Sequence, residues 1–282
     1  MEVINSIQEI QQLALRFEKE GKKIGFVPTM GYLHDGHLSL IDLIREPSDI
    51  LILSIFVNPT QFGAGEDLDK YPRDMERDLT LCRERKVDYI FAPQTDEIYP
   101  EGASTYVSEE EISQGLCGEA RPIHFKGVTT ICAKLFNLVR PAYVALGQKD
   151  AQQVVVLKRM IRDLHFPIEL VIGPTLREPD GLAMSSRNSY LNDRQREDAL
   201  LIYQALQTGK QLVDEKGIRN VDRVKAELMT TLRSGSFIRI NYAEVVDRED
   251  MQPEKEIELG RSILVIAVWV DNIRLIDNMH LG

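Results

Sequence analysis

The strongest constraint on this chain is a rhythm. As far as residue 172, short apolar runs alternate with amphipathic runs at helical spacing. Residues 7–20 form an amphipathic stretch that stops at Gly21. Residues 23–27 read as a buried strand, and 50–57 as a second, apolar at every position but Ser54. A charged amphipathic helix is expected over 73–86, then a strand at 88–92. Helix, strand, helix and strand follow at 127–139, 142–146, 150–164 and 168–172. Strands buried on both faces read as continuous apolar runs, whereas half-solvated strands alternate. The fold class is therefore α/β, a mostly parallel sheet with helices on both faces.

The rhythm changes after about residue 176. Helices are expected from 192 to 216 and over 221–233, followed by strands at 239–246, 262–270 and 273–277, with Asp271-Asn272 as a tight turn. That pattern predicts a smaller α+β domain over 177–282, behind a first domain of 1–176.

Composition narrows the partners. A net charge of −10 is a poor match to nucleic acid or an anionic membrane surface, though it leaves room for a local basic pocket. No apolar run approaches the ~20 residues that span a bilayer. Cys82, Cys117 and Cys132 have no zinc spacing, and an odd number does not complete an internal disulfide framework. The start at Met1 has no basic leader region, so a reducing cytoplasmic setting is expected.

In a parallel sheet, ligands bind beyond the carboxyl ends of the strands. The glycine-rich and polar junctions fall there, at 28–37, 58–63, 147–150 and 174–188. In the first, Pro28-Thr29-Met30-Gly31-Tyr32-Leu33-His34-Asp35-Gly36-His37, two histidines precede a helix-like run. No third ligand is spaced to complete a zinc site with them. Two readings stand: capping residues of a turn, or imidazoles and helix N–H groups set for a phosphate. No P-loop is present, and 62–68 lacks the full dinucleotide fingerprint. Lys149 near a helix start is unfavourable against the dipole unless an anion is bound; otherwise it is a solvated lysine. Met184-Ser185-Ser186-Arg187-Asn188 is either a polar loop or a set of hydroxyls and a guanidinium for a ligand. Gln61 and Gln153 are surface residues or a pair able to bind a hydroxy acid. Arg121-Pro122-Ile123-His124-Phe125-Lys126-Gly127 is a mobile lid or a basic loop.

Together these segments resemble the pantoate–β-alanine ligase family. The matching pieces are Pro28–Gly31 with His34–His37, Phe56-Val57-Asn58-Pro59-Thr60-Gln61-Phe62-Gly63, Glu66-Asp67-Leu68 with Tyr71-Pro72-Arg73, Gly147-Gln148-Lys149-Asp150 with Gln152-Gln153, and Arg177–Asn188. The resemblance spans essentially the whole chain. It implies a Rossmann-like, doubly wound domain with a smaller C-terminal domain that closes over the site. His34–His37 and Met184–Arg187 are similar in role to the signature segments of class I aminoacyl-tRNA synthetases. The implied reaction condenses (R)-pantoate with β-alanine through a pantoyl-adenylate, using ATP and Mg2+, in a cytoplasmic homodimer. By the same resemblance, His37, His34, Lys149 and Arg187 are catalytic. Met30, Gly31, Tyr32, Leu33, His34, Asp35, Gly36, His37, Gly147, Gln148, Lys149, Asp150, Leu176, Met184, Ser185, Ser186 and Arg187 contact ATP. Gln61 and Gln153 contact substrate, and Asp78 lies by the magnesium. Ile123 stands where the family usually has glycine. The rival readings are a nucleotidyltransferase acting on a phosphorylated acceptor and a nucleotide-binding regulator without turnover.

Overall fold

A computed structural model describes residues 1–282. In chain order the elements are β1 (Glu2–Ile4), α1 (Ile7–Lys19), β2 (Ile24–Thr29), α2 (Asp35–Arg45), β3 (Ile50–Ile55), α3 (Met75–Glu84), β4 (Tyr89–Phe91), α4 (Thr95–Ile98), α5 (Cys117–Ala120), α6 (His124–Val139), β5 (Tyr143–Gly147), α7 (Ala151–Asp163), β6 (Glu169–Gly173), α8 (Asp193–Asp214), α9 (Val221–Leu232), β7 (Ile238–Asp247), β8 (Ser262–Val270) and β9 (Ile273–His280). The chain divides into two compact units. One comprises 1–113, 121–148 and 156–174; the other comprises 114–120, 149–155 and 175–282.

The first unit is built on a parallel sheet in the order β1-β4-β3-β2-β5-β6. Leu38, Ile41 and Ile44 of α2 pack with Val27, Leu51, Leu53, Ile90 and Ala145 of the strands. The alternate strand residues Phe26, Ile52 and Phe91 are buried as well. With both faces covered, no polar residue is called for on either, which explains the continuous apolar runs. α6 packs against β2 and against α1.

The strand order reverses beside β2. The chain proceeds from β2 to β3 and β4 on one side, then returns to place β5 and β6 on the other. The β2–β5 ladder ends at the pair Phe26 and Val144, and Pro28, with no N–H to donate, lies just beyond. The two strands therefore part at their carboxyl ends, at the kind of switch point where α/β sheets bind ligands.

The second unit carries the antiparallel sheet β7-β8-β9. Ile202 and Leu206 of α8 and Val224 and Leu228 of α9 pack on Leu264, Ile266 and Val268 of β8. Asn192 caps α8: its side chain accepts from Gln195 N–H, and the Gln195 side chain returns the bond to Asn192 N–H.

Several boundaries differ from the sequence expectation. β1 is too short for any periodicity to show, and it exists because β4 offers it an edge. α2 begins at Asp35, and α6 begins at His124. Residues 59–61 form a 3₁₀ turn within the expected loop. β9 runs on to His280 because β8 pairs with it throughout.

Burial pushes the Cys82 and Cys132 thiols up to about 12. Both stay protonated at pH 8. Native protein treated with Ellman's reagent at that pH should leave these two unmodified, as peptide mapping would read. Unfolding in guanidinium should expose all three cysteines.

Candidate functional site

The turn after β2 is held from beneath by a carboxylate. Thr29 Oγ1 donates to Ser54 O (2.6 Å) and accepts from Gly31 N–H (3.2 Å), which fixes the exit from the strand. Gly31 and Tyr32 both take positive φ, 81° and 51°. For tyrosine this backbone is strained. Asp78, in the first turns of α3, holds it in place. Its carboxylate accepts Tyr32 N–H at 2.7 Å and Leu33 N–H at 2.8 Å. Arg77 donates to Leu33 O from the neighbouring position (2.8 Å), with its guanidinium 5.5 Å from the Tyr32 ring. Burial pushes the Asp78 carboxyl up, and the two N–H bonds pull against that. Leu33 is fully buried and both its backbone groups are engaged, so it supports the loop rather than facing a ligand.

The family resemblance implies that Asp78 lies by the magnesium. The structure does not fit that role: the side chain is 1% exposed and both oxygens are taken by N–H groups. No group of three His, Cys, Asp or Glu side chains is arranged for a metal. Asp78 is a buried acceptor for a strained turn.

That turn delivers the two histidines to the start of α2. His34 is the N-cap and His37 the third helical residue. His34 N–H donates to His37 Nδ1 at 3.3 Å, and the rings lie 4.1 Å apart. With Nδ1 accepting, the neutral His37 ring carries its proton on Nε2. His37 N–H donates back to His34 O (2.8 Å), which leaves the Asp35 and Gly36 N–H groups at the head of the helix to suit an anion. Asp35 is exposed to solvent.

Gln61 sits beside Met30. Its Nε2 donates to Met30 Sδ (3.3 Å), a weak acceptor, while Asn58 Nδ2 donates to its Oε1 (3.0 Å). Asn58 is itself fixed: Nδ2 also donates to Gly127 O, and Oδ1 accepts from Thr60 and Tyr99 hydroxyls. The Gln61 amide therefore has one orientation, its donor end toward Met30. Its backbone is gripped too. Arg121 Nη2 donates to Gln61 O (3.3 Å) and His124 Nδ1 lies 3.1 Å from the same oxygen. A Cβ on Gly127 would stand 2.6 Å from the Gln61 backbone, so only glycine fits. Arg121 is paired with both Glu66 oxygens (2.8 and 2.6 Å). Burial works against the Glu66 charge, but the guanidinium holds its carboxyl below the usual range. The basic 121–127 segment is thus tied to Glu66 and Gln61. Ile123, half exposed at the N-cap of α6, obstructs neither contact.

In the second unit, Lys149 and Asp150 belong to a 3₁₀ turn ahead of α7. Lys149 Nζ is 3.7 Å from Asp150 Oδ1, and its carbonyl accepts from Asn278 Nδ2 (2.9 Å). Gln153 is half-buried on α7, while Gln152 turns inward, accepting Cys117 N–H and donating to Gly115 O. Residues 177–183 form a hairpin whose ends bridge Arg177 and Ala183. Leu176 O accepts Met184 N–H, and Ser185 caps the 3₁₀ turn holding Ser186 and Arg187. Gly147 and Gln148 continue directly from β5 in the first unit.

Asn58, Arg77, Glu66, Asp277 and Asn278 carry this geometry without having been singled out as site residues by sequence reasoning. Asp74 N-capping α3 was the one local signal near Arg77. Glu66, Asp277 and Asn278 act through partners tens of residues away, and Asn58 ties nearby Gln61 to distant Tyr99 and Gly127, which no spacing encodes.

Comparison with known proteins gives the family. The model of the family described as pantoate-beta-alanine ligase matches residues 2–280. This chain belongs to the pantoate–β-alanine ligase family. It is 51% identical to the pantothenate synthetase of Thermosipho melanesiensis over 282 residues, covering all of both chains. It is 50% identical to that of a Sulfurihydrogenibium species, covering 99% of this chain and 100% of the relative. Among solved structures, pantothenate synthetase from Thermus thermophilus superposes with a TM-score of 0.94 at 41% identity, covering 99% of each chain. Pantoate-beta-alanine ligase from Francisella tularensis, solved with a β,γ-ATP compound and β-alanine, gives 0.82 at 31% identity, covering 99% and 97%. In this member of the ligase family, the buried Asp78 carboxylate is the support beneath the histidine turn.

Asp78→Asn would set an amide NH2 against an N–H and should lower stability by about 1–3 kcal/mol, measured by urea denaturation. If the variant matches the parent in stability, the support role is wrong. Gly127→Ala should force the Gln61 turn aside and cost about 1–3 kcal/mol by overpacking, read in the same assay.

Proposed function

We propose that this chain condenses (R)-pantoate with β-alanine at the expense of ATP, releasing AMP and diphosphate. The observation that carries this reading is a pairing within one unit. The N-terminus of α2, with His37 presenting Nε2–H, suits a phosphate, and Met30 links it to the Gln61 amide, a donor resting on a weak acceptor. A hydroxy acid oxygen would replace the thioether with a stronger partner.

In the first step a pantoate carboxylate oxygen attacks the α-phosphorus. An O–P bond forms, the bond to the bridging oxygen of the β-phosphate breaks, and diphosphate leaves. No proton moves in that step. The demand is electrostatic and geometric: negative charge on the triphosphate must be offset and the attack kept in line. The His37 and His34 imidazoles, the α2 N–H groups, Lys149 and Arg187 are assigned that work. Met30, Gly31, Tyr32, Gly147, Gln148, Asp150, Leu176, Met184, Ser185 and Ser186 are assigned to the nucleotide, and Gln61 and Gln153 to pantoate. In the second step the β-alanine amine attacks the acyl carbon. The C–N bond forms, the acyl–phosphate C–O bond breaks and AMP departs. The amine must shed a proton, which a histidine handles well near pH 7. Magnesium in this reading comes with ATP on its own phosphates and waters, as that ion commonly binds. The homodimer and the cytoplasmic setting belong to the same reading, and sedimentation tests the dimer.

Purified protein given ATP, magnesium, pantoate and β-alanine should yield AMP and pantothenate, separated by chromatography; no AMP would overturn the assignment. His37→Ala should lower kcat by a factor on the order of 10²–10⁴, and a near-normal kcat would make it a capping residue only. Gln61→Ala should raise KM for pantoate more than KM for ATP. Equal rises would indicate a packing defect instead.

A further inference from the structure

Two consecutive polar residues on an edge strand are both buried. Asp277 and Asn278 of β9 are 4% and 5% exposed. Their partners on β8 are Ile266 and Val265. Ile266 belongs to the core under α8 and α9, and successive strand residues face opposite ways. Asp277 thus projects on the helix-covered face and Asn278 on the other. Burying a carboxylate and an amide is costly without partners, so what each one holds is informative.

Asp277 holds Arg177. The guanidinium donates to both carboxylate oxygens, at 2.6 and 3.1 Å. Arg177 in turn donates to Gly181 O (3.1 Å) across the 177–183 hairpin and lies 4.2 Å from the Tyr203 ring. A Cβ on Gly181 would meet that ring at 2.3 Å, so the hairpin tip is seated on Tyr203. The hairpin leads straight into Met184–Arg187. Asn278 holds the other segment: its Nδ2 donates to Lys149 O at 2.9 Å. Asp277 Oδ1 also accepts the backbone N–H of Asn278 at 2.7 Å, which ties the two positions together.

We propose that Asp277 and Asn278 are positioning residues for nucleotide binding: this pair on β9 sets the Lys149 turn and the Met184–Arg187 segment in register with each other. Asp277 acts through the Arg177 brace and Asn278 through the Lys149 carbonyl. Bidentate guanidinium–carboxylate geometry makes the first grip directional. The inference rests on reading those two segments as ATP contacts.

The test uses the full chain with Asn278→Ala and Asp277→Asn. Asn278→Ala removes one hydrogen bond and should raise KM for ATP roughly three- to tenfold, with KM for pantoate and β-alanine held within about twofold. Asp277→Asn should raise KM for ATP further, roughly tenfold or more, because it breaks a charged bidentate contact. Hydrogen exchange should quicken at 148–151 in the first variant and at 177–187 in the second. If Asp277→Asn fails to fold, Asn278→Ala decides. An unchanged KM for ATP with unchanged exchange overturns the proposal, as does an equal rise in all three KM values. Wild-type protein that made no AMP would instead overturn the ligase reading, and the exchange measurement would still decide the positioning.

Discussion

The geometry of the first unit's candidate site depends on one buried carboxylate. Tyr32 adopts a backbone conformation that disfavours any residue with a Cβ, by about 1–3 kcal/mol. Two N–H bonds to the Asp78 carboxylate, each worth about 1.5–3 kcal/mol to a charged group, exceed that strain. Arg77 holds the next peptide by the Leu33 carbonyl. The strained turn is what brings His34 to the cap of α2 and His37 into its first turn. A relaxed turn would move both imidazoles and the helix terminus together.

Around this support, the sheet opens where the turn begins. The β2–β5 ladder ends before Pro28, and the proline removes the donor that would extend it. Polar groups that follow β3 are held in fixed orientations. Gln61 is the clearest case. Asn58 holds one end of its amide, Gly127 admits its backbone at close range, and the amide's donors rest on sulfur. A donor oriented by buried neighbours and satisfied only weakly is prepared for a stronger acceptor.

The chain's charge of −10 does not conflict with a triphosphate ligand. Binding of a small anion responds to the local field, and a helix terminus flanked by two imidazoles supplies that locally. Net charge bears instead on extended polyanions and membrane surfaces, for which this chain offers no general attraction.

Much of this was legible in the residues. Apolar runs without alternation determined a parallel sheet covered on both faces, because only such strands have no use for polar positions. The change of rhythm after about residue 176 determined the antiparallel sheet and its helices. The ordered junction motifs determined the family, since long unlike segments rarely recur together by chance. Other features were decided only by tertiary structure. Whether Asp78 serves a metal or a peptide depends on where α3 places it relative to Tyr32, forty-six positions away in sequence. β1 forms only because β4 offers an edge, and α6 takes in His124 although the sequence pattern put its start at Gly127. The pairing of Asp277 and Asn278 with Arg177 and Lys149 spans a hundred residues or more. Local spacing encodes period and caps, because these arise from neighbours along the chain. Burial and long-range hydrogen bonds arise from neighbours in space, and for those the folded chain decides.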